Sequence, residues 1–212
     1  MKKLVIKTAI ITFCASIVLA ISVIGILSFC APAVMMRLTA SLGMRGISGD
    51  FAYEEYARSG DISYLARSFE LAAEHSDDRV AEERFRILYG EEGSEERAAF
   101  DKYCAEYRAE TIDGVPVLNY RMYLCGQAAA VKYRLASSAE EKTKVWAFAL
   151  DETDDNFSIG NPVVMLAVEA LSFEDTAFCG ELLERITVTA RFNRSAPDYL
   201  AIINLLEGVV HA

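Results

Sequence analysis

The densest group of metal-binding side chains in the sequence is the acidic run 151–156, DETDDN. Carboxylates spaced this closely are ligands that Ca²⁺ prefers, but the central glycine and final glutamate of the EF-hand loop are missing. We therefore interpret the run as a solvated loop between two helices. A calcium site is the alternative.

Side chains that transfer protons are sparse. The two histidines are His75, beside acidic residues at a predicted helix end, and His211, in the C-terminal tail. The motifs HExxH, GxSxG, GxGxxG and the P-loop do not occur, which excludes the commonest hydrolase, kinase and dinucleotide-binding classes. We predict a protein that is not an enzyme, with no catalytic residue, cofactor or metal ion. An enzyme with an unrecognised carboxylate-based site is one alternative.

The five cysteines do not form a recognisable pattern. Cys14 and Cys30 lie in an apolar stretch, whereas Cys104, Cys125 and Cys179 are far apart and belong to no CxxC pair. An odd number with this spacing indicates neither a disulfide framework nor a metal site. We expect the last three to be small residues of a hydrophobic core.

Tyrosine is the side chain best suited here to binding another protein. All ten tyrosines follow residue 50, and tyrosine combines an apolar ring with a polar hydroxyl. Most should fill seams between helices. We predict that four of them line a groove for a protein or peptide partner: Tyr53, Tyr64, Tyr107 and Tyr123.

The stretch Thr8–Cys30 carries no charge. As a helix it would be about 34 Å long, enough to cross a hydrocarbon core of about 30 Å. We predict that residues 1–37 form a signal anchor whose residues 8–30 contact the lipid bilayer. Cleavage after the small-residue pattern at 31–33 is the alternative. Residues 38–49, LTASLGMRGISG, are rich in glycine, and we predict an irregular juxtamembrane linker.

The basic residues that flank this stretch indicate its orientation. Lys2, Lys3 and Lys7 precede it, and Arg37 and Arg45 follow it. Since the more basic flank prefers the cytoplasm, we predict a single-pass protein of the cell membrane with its C-terminal domain outside. The unpaired cysteines weigh weakly against that side, because oxidising compartments discourage free thiols.

The remainder, residues 50–212, is predicted to be one acidic domain. The whole chain carries 21 basic and 31 acidic residues, a net charge of −10, and the first acidic residue is Asp50. Such a domain should be soluble and repelled by nucleic acid, so we predict no nucleic-acid partner.

Apolar residues repeat at helical spacing throughout this domain, with no convincing strand alternation. Capping and breaking residues, such as Gly60 with Asp61, Ser94, Ser138 and Asn161–Pro162, set the expected helix ends. The predicted helices are 51–58, 62–75, 78–89, 94–109, 117–135, 138–148, 161–171, 173–192 and one from 195 onward.

The first helix pair, FAYEEYARSGDISYLARSFELAAEHSDD, resembles a tetratricopeptide repeat. Tyr56 precedes the turn, Leu65 takes the position of the small residue between the helices, and Phe69 and Ala72 follow at the family's spacing. The sequence departs from the family pattern at Leu65, where alanine is preferred, and at Asp77, where proline is usual.

A second pair continues the resemblance. Ala99 follows Leu65, and Tyr103 follows Phe69, by about 34 residues, which is the repeat length of the family. The resemblance is clear only over residues 51–110. It implies stacked helix pairs, an α-solenoid-like bundle, that present a surface to other proteins.

We therefore predict an all-α, membrane-anchored interaction or scaffold module that binds a protein or peptide. A structural subunit of a larger membrane complex is the second alternative, and an exposed apolar patch on the last helix would favour it.

Overall fold

The structure, a computed structural model, describes residues 2–75, 77–107, 119–153, 160–189, 192 and 197–211. The side chains of residues 2–11, 197 and 198 are not among the parts described. Within these ranges helices are the only regular secondary structure and there is no strand, which confirms the predicted all-α class. The helices are α1 (Lys2–Cys30), α2 (Pro32–Ser41), α3 (Arg45–Ser59), α4 (Ile62–Glu74), α5 (Asp78–Tyr89), α6 (Glu95–Glu106), α7 (Tyr120–Leu135), α8 (Ala139–Asp151), α9 (Pro162–Ser172), α10 (Thr176–Val188) and α11 (Pro197–Val210).

The helices form two compact units, Met1–Leu71 and Ala72–Ala212. Helix α4 belongs to both, since the division falls inside it. The domain limits predicted at residues 37 and 50 remain a prediction.

Helix α1 contains one segment that is long and apolar enough to span a membrane. This segment, Thr12–Cys30, has a mean hydropathy of 2.5 and is 0% buried. No other helix in the described ranges meets these criteria of length and composition. A signal sequence near an N-terminus has the same character, so the segment is a candidate span by length and composition.

The segment predicted as an irregular linker is mostly helical, and that prediction is wrong. Helix α2 covers its first residues, and α3 begins at Arg45. Of its three glycines, Gly43 has the left-handed φ of 74° that ends a helix. Gly49 instead lies buried inside α3, where its carbonyl oxygen accepts a hydrogen bond of 2.7 Å from Ser68 Oγ.

Two side chains of α3 fasten it to the junction between α1 and α2. Arg58 Nη1 donates to the carbonyl oxygen of Cys30, the last residue of α1, at 2.7 Å. Glu55 Oε2 accepts from the backbone N–H of Ala33 in the first turn of α2, at 3.2 Å. A cation at a helix C-terminus and a carboxylate at a helix N-terminus are both favourable. The two side chains also pair with each other at 3.3 Å.

Helix α7 is the centre of the second unit and packs against α5, α6, α8 and α9. It runs antiparallel to α5, because Asp78 at the start of α5 pairs with Arg134 near the end of α7 at 2.8 Å. It runs parallel to α9, because Gly126 approaches Gly160 just before α9, and Arg134 pairs with Glu169 further along.

Small residues allow the close approach of α7 to the start of α9. A Cβ atom added at Gly126 would lie 2.0 Å from the carbonyl oxygen of Gly160. Ala129 and Ala130 continue this buried, small surface along α7.

The helix ends follow the predicted capping chemistry. Ser94 Oγ accepts from Arg97 N, Asn161 Oδ1 accepts from Val163 N, and Ser138 forms a reciprocal capping box with Glu141. The helix predicted at 173–192 is shorter than expected. It begins at Thr176, because the Asp175 side chain accepts from Phe178 N, and it ends at Val188.

The two helix pairs that carry the tetratricopeptide resemblance differ in burial. Leu65, Phe69 and Ala72 are buried, as the pattern requires. Ala99, the residue matched to Leu65 in the second pair, is exposed. The repeat itself remains a prediction.

Candidate functional site at the two ends of the central helix

A polar network surrounds the carboxylate of Glu152 at the N-terminal end of α7. Tyr89 OH donates to Glu152 Oε1 at 2.5 Å. Arg121 binds the same carboxylate through Nε at 2.9 Å and Nη2 at 2.8 Å. Cys125 Sγ lies 3.4 Å from Oε2. One carboxylate therefore joins side chains from α5, α7 and the end of α8.

The Glu152 carboxylate is largely shielded from solvent, and arginine side chains balance its charge. The Glu152 side chain is only 8% exposed, and Arg121 forms a second ion pair with Asp101 at 2.7 Å. The Arg97 guanidinium lies over the Tyr89 ring, 3.6 Å from its centroid. A carboxylate whose oxygens already accept from a phenol, a guanidinium and a thiol is poorly placed to act as a general base.

The network also shifts the acidity of its members. Burial and then the hydrogen bond to Glu152 raise the pKa of Tyr89 from 10.0 to about 12. Burial raises the pKa of the Cys104 thiol to about 12, and it raises the pKa of the Cys125 thiol well above its usual value. Neutral thiols are weak nucleophiles. Cys104, Cys125 and Cys179 are all buried and unpaired, as predicted for core residues.

The interpretation of the acidic run as a solvated loop is wrong for two of its residues. Glu152 belongs to the network, and Thr153 is buried with its hydroxyl bonded to the Ala149 carbonyl oxygen at 2.7 Å. The attraction of the Arg121 guanidinium and burial of the adjoining turn outweigh solvation here. Residues 154–156 lie outside the described residues.

At the other end of α7 a second carboxylate, Asp175, lies beside an open recess. Its Oδ2 accepts from Tyr133 OH at 2.8 Å and from Lys142 Nζ. The Lys142 ammonium also lies 5.4 Å from the centroid of the Tyr133 ring. The recess has a volume of about 390 Å³, and its lining residues are Tyr133, Arg134, Ala136, Lys142, Phe173 and Asp175.

The recess combines aromatic and charged walls. Phe173 is 60% exposed, and its ring lies edge-on to that of Tyr133 with the centroids 6.1 Å apart. Burial raises the pKa of Asp175, but hydrogen bonds from Lys142, Tyr133 and the Phe178 N–H outweigh it and lower the pKa overall. Asp175 is therefore ionised at neutral pH. The volume and mixed lining of the recess suit one side chain or a short peptide segment.

The four tyrosines predicted to line a partner groove fall in different units. Tyr53 and Tyr64 lie in the first unit, where the Tyr53 ring is 6.2 Å from that of Tyr56. Tyr107 and Tyr123 lie in the second unit, on either side of Tyr120. The ring of Tyr107 is stacked on that of Tyr120, with centroids 3.4 Å apart. The predicted groove remains a prediction.

Sequence reasoning missed both carboxylate networks. Arg121 and Glu152 are 31 residues apart, and Lys142 and Asp175 are 33 apart, so no local spacing links them. The available signal was a pair of basic residues, Arg121 and Lys142, on otherwise half-buried helix surfaces.

Within the described ranges, no group of three or more His, Cys, Asp or Glu residues is arranged to hold a metal ion. No family model, curated protein or solved structure matches this chain.

Proposed function

We propose that this chain is a membrane-anchored, non-catalytic interaction module. In this proposal α1 holds it in a bilayer, and the recess beside Asp175 receives a segment of a protein partner. The proposal rests on the presence of two features in one chain: an unburied, apolar α1, and an open aromatic recess on the second unit.

Two serine hydroxyl groups of α1 are compatible with its placement in lipid. Ser16 Oγ donates to the Thr12 carbonyl oxygen at 2.9 Å, and Ser22 Oγ donates to that of Val18 at 2.8 Å. Polar groups in a hydrocarbon core must find partners within the protein. These two serines do so within their own helix.

The burial of the cysteines bears on the proposed orientation. Free thiols on the outer side of a membrane are vulnerable when they are exposed and ionised. Cys104, Cys125 and Cys179 are buried, and their pKa values are raised chiefly by that burial. They therefore weigh little against an outside domain.

Photo-crosslinking tests the partner surface. A benzoylphenylalanine at Phe173, beside the recess, should capture a discrete partner in native membranes. The same probe at Tyr107 tests the tyrosine groove, and a probe at the exposed Ala98 serves as the control. Equal capture from all three positions would contradict a specific partner-binding surface. Capture from position 107 alone would indicate that the partner binds at the tyrosines instead of at the recess.

Thiol labelling tests the orientation. Glu92 is exposed in the turn between α5 and α6, so Glu92→Cys supplies a reporter once the exposed Cys14 and Cys30 are replaced by alanine. A membrane-impermeant maleimide should label intact cells. The chain in which Cys14 and Cys30 are replaced but Glu92 is kept should stay unlabelled. Labelling of Glu92→Cys only after lysis would place the second unit in the cytoplasm.

A second candidate function is a structural subunit of a larger membrane complex. Helix α11 exposes Leu200 and Leu205, and exposed apolar side chains can form a contact surface with another subunit. If other subunits co-purify in a fixed ratio and are lost when both leucines are changed to glutamine, the subunit function is supported over partner binding at the recess.

A further inference from the structure

The first unit contains a recess beside the last turns of α1. It has a volume of about 770 Å³, and its lining residues are Gly25, Ser28, Phe29, Cys30, Pro32, Glu54 and Arg58. One wall is therefore the apolar surface of α1, and the other consists of two oppositely charged side chains of α3.

The walls of this recess are held in place by hydrogen bonds. Arg58 reaches the Cys30 carbonyl oxygen at 2.7 Å, and Glu55 reaches the N–H of Ala33 at 3.2 Å. These bonds fix α3 against the α1–α2 junction. They leave the Gly25 side of the recess open, since a Cβ atom added there would meet nothing within 4 Å.

The depth of the recess matches the border between hydrocarbon and headgroups. From Gly25 to Cys30 the helix rises about 7.5 Å, and Cys30 is the last residue of the candidate span. If α1 crosses a bilayer as proposed above, the apolar wall faces acyl chains and Glu54 and Arg58 lie among the headgroups. An amphiphile fits such a site better than a water-soluble ligand.

The charges indicate which headgroup fits. Glu54 and Arg58 are four residues apart and therefore share one side of α3. Glu54 is exposed, and in the contacts described for the first unit it forms no ion pair. A guanidinium suits a phosphate, and a carboxylate suits an ammonium that can donate hydrogen bonds.

We propose that this recess binds one phospholipid with a phosphoethanolamine headgroup. Arg58 contacts the phosphate, Glu54 accepts from the primary ammonium, and an acyl chain follows α1 past Gly25. The inference rests on the membrane anchor proposed above and assigns a lipid partner to its outer end.

The test uses the full chain reconstituted in phosphatidylcholine nanodiscs with a photoactivatable phosphatidylethanolamine probe. Adducts are expected on peptides of α1 and α3, and unlabelled phosphatidylethanolamine should compete for them. Gly25→Leu fills the apolar side, and Glu54→Gln removes the acceptor of the ammonium. Each should lower the adduct yield about tenfold, the loss of one charge-assisted or well-packed contact.

Ala20→Leu is the matched control, because it enlarges another exposed small residue of α1 outside the recess, and it should leave the yield unchanged. An equal loss in the control, or equal competition by phosphatidylcholine, would overturn the lipid site. Alkaline carbonate extraction separates the two proposals. Release of the chain from the membrane would overturn the anchor and the lipid site together. If the chain is retained but Gly25→Leu and Glu54→Gln leave the adduct yield unchanged, the lipid site alone is overturned.

Discussion

The two ends of α7 carry similar chemistry in opposite settings. At the N-terminal end, Glu152 is 8% exposed and accepts from Tyr89, Arg121 and Cys125. At the C-terminal end, Asp175 is 19% exposed and accepts from Tyr133 and Lys142 beside a recess of about 390 Å³. Each end therefore joins a carboxylate, a tyrosine and a cation.

The difference lies in what closes each end. The approach of Gly126 to Gly160 brings backbone against backbone next to Cys125, one of the residues that contact Glu152. Near Asp175 the chain turns away at Phe173, where α9 ends, and its ring remains exposed. We infer that the closed end stabilises the second unit and the open end is available for binding.

The largest effect is expected when Glu152 is removed. Glu152→Ala leaves the Tyr89 hydroxyl without its acceptor, and it leaves the partly exposed Arg121 with only Asp101 among the two carboxylates that it binds. We expect this loss to cost about 3 kcal/mol. Denaturant unfolding in detergent micelles measures it. The control Glu140→Ala removes an exposed pair with Lys144 and should cost below about 1 kcal/mol. Similar costs for both would show that the Glu152 network is not structural.

The next effect concerns the backbone contact at the closed end. Gly126→Ala places a methyl group 2.0 Å from the Gly160 oxygen, so α7 and α9 must separate, at about 1–3 kcal/mol. In the control Gly180→Ala the nearest atom to the new Cβ is 3.8 Å away. That change should be neutral or stabilise α10 by about 0.5–1 kcal/mol. A neutral Gly126→Ala would mean that the two segments are further apart.

A smaller effect is expected from Tyr89→Phe. It removes one hydrogen bond to Glu152 and should cost about 1 kcal/mol at neutral pH. Because the pKa of Tyr89 is raised from 10.0 to about 12, its contribution is complete below pH 10 and is lost as the pH rises toward 12. The variant should thus lose less stability than the parent over this interval, while Tyr64→Phe, in the other unit, should follow the parent.

The smallest change in stability is expected at the open end. Asp175→Asn keeps a side chain that can cap α10 but removes the charge paired with Lys142, at about 1 kcal/mol or less. Since the pKa of Asp175 is lowered, the charge contributes above the ordinary carboxyl pKa of about 4 and its contribution is lost in more acidic solution. The difference in stability from the parent should therefore shrink below that pH.

Partner capture by the probe at position 173 should fall sharply in the Asp175→Asn variant. A large stability loss with unchanged capture would show that the Asp175 end stabilises the unit and is not the binding end.

Local chemistry in the sequence predicted the helices well. Ser94, Ser138 and Asn161 cap the helices that they were expected to begin, because a cap depends on neighbours within three residues. Gly60 ends α3 in the left-handed conformation for the same local reason.

The errors arose where distant residues decide the outcome. Glu152 is adjacent to acidic residues in the sequence, and its burial depends on Arg121 and Tyr89, which belong to other helices. Gly49 lies in a stretch with the composition of a linker, yet a hydrogen bond from Ser68 helps to hold its backbone inside a packed helix. The recess beside Asp175 could not be predicted, since it depends on the place where α9 stops relative to α7 and α8.

The Glu152 network has a kinetic consequence. Its partners Cys125, Arg121 and Tyr89 are 27, 31 and 63 residues away along the chain, so it can assemble only after the loops between them have closed. Contacts that form after the folding transition state slow unfolding and leave the folding rate nearly unchanged. If the network forms after the folding transition state, Glu152 acts mainly on the lifetime of the folded second unit, and Glu152→Ala should speed unfolding while leaving the folding rate nearly unchanged.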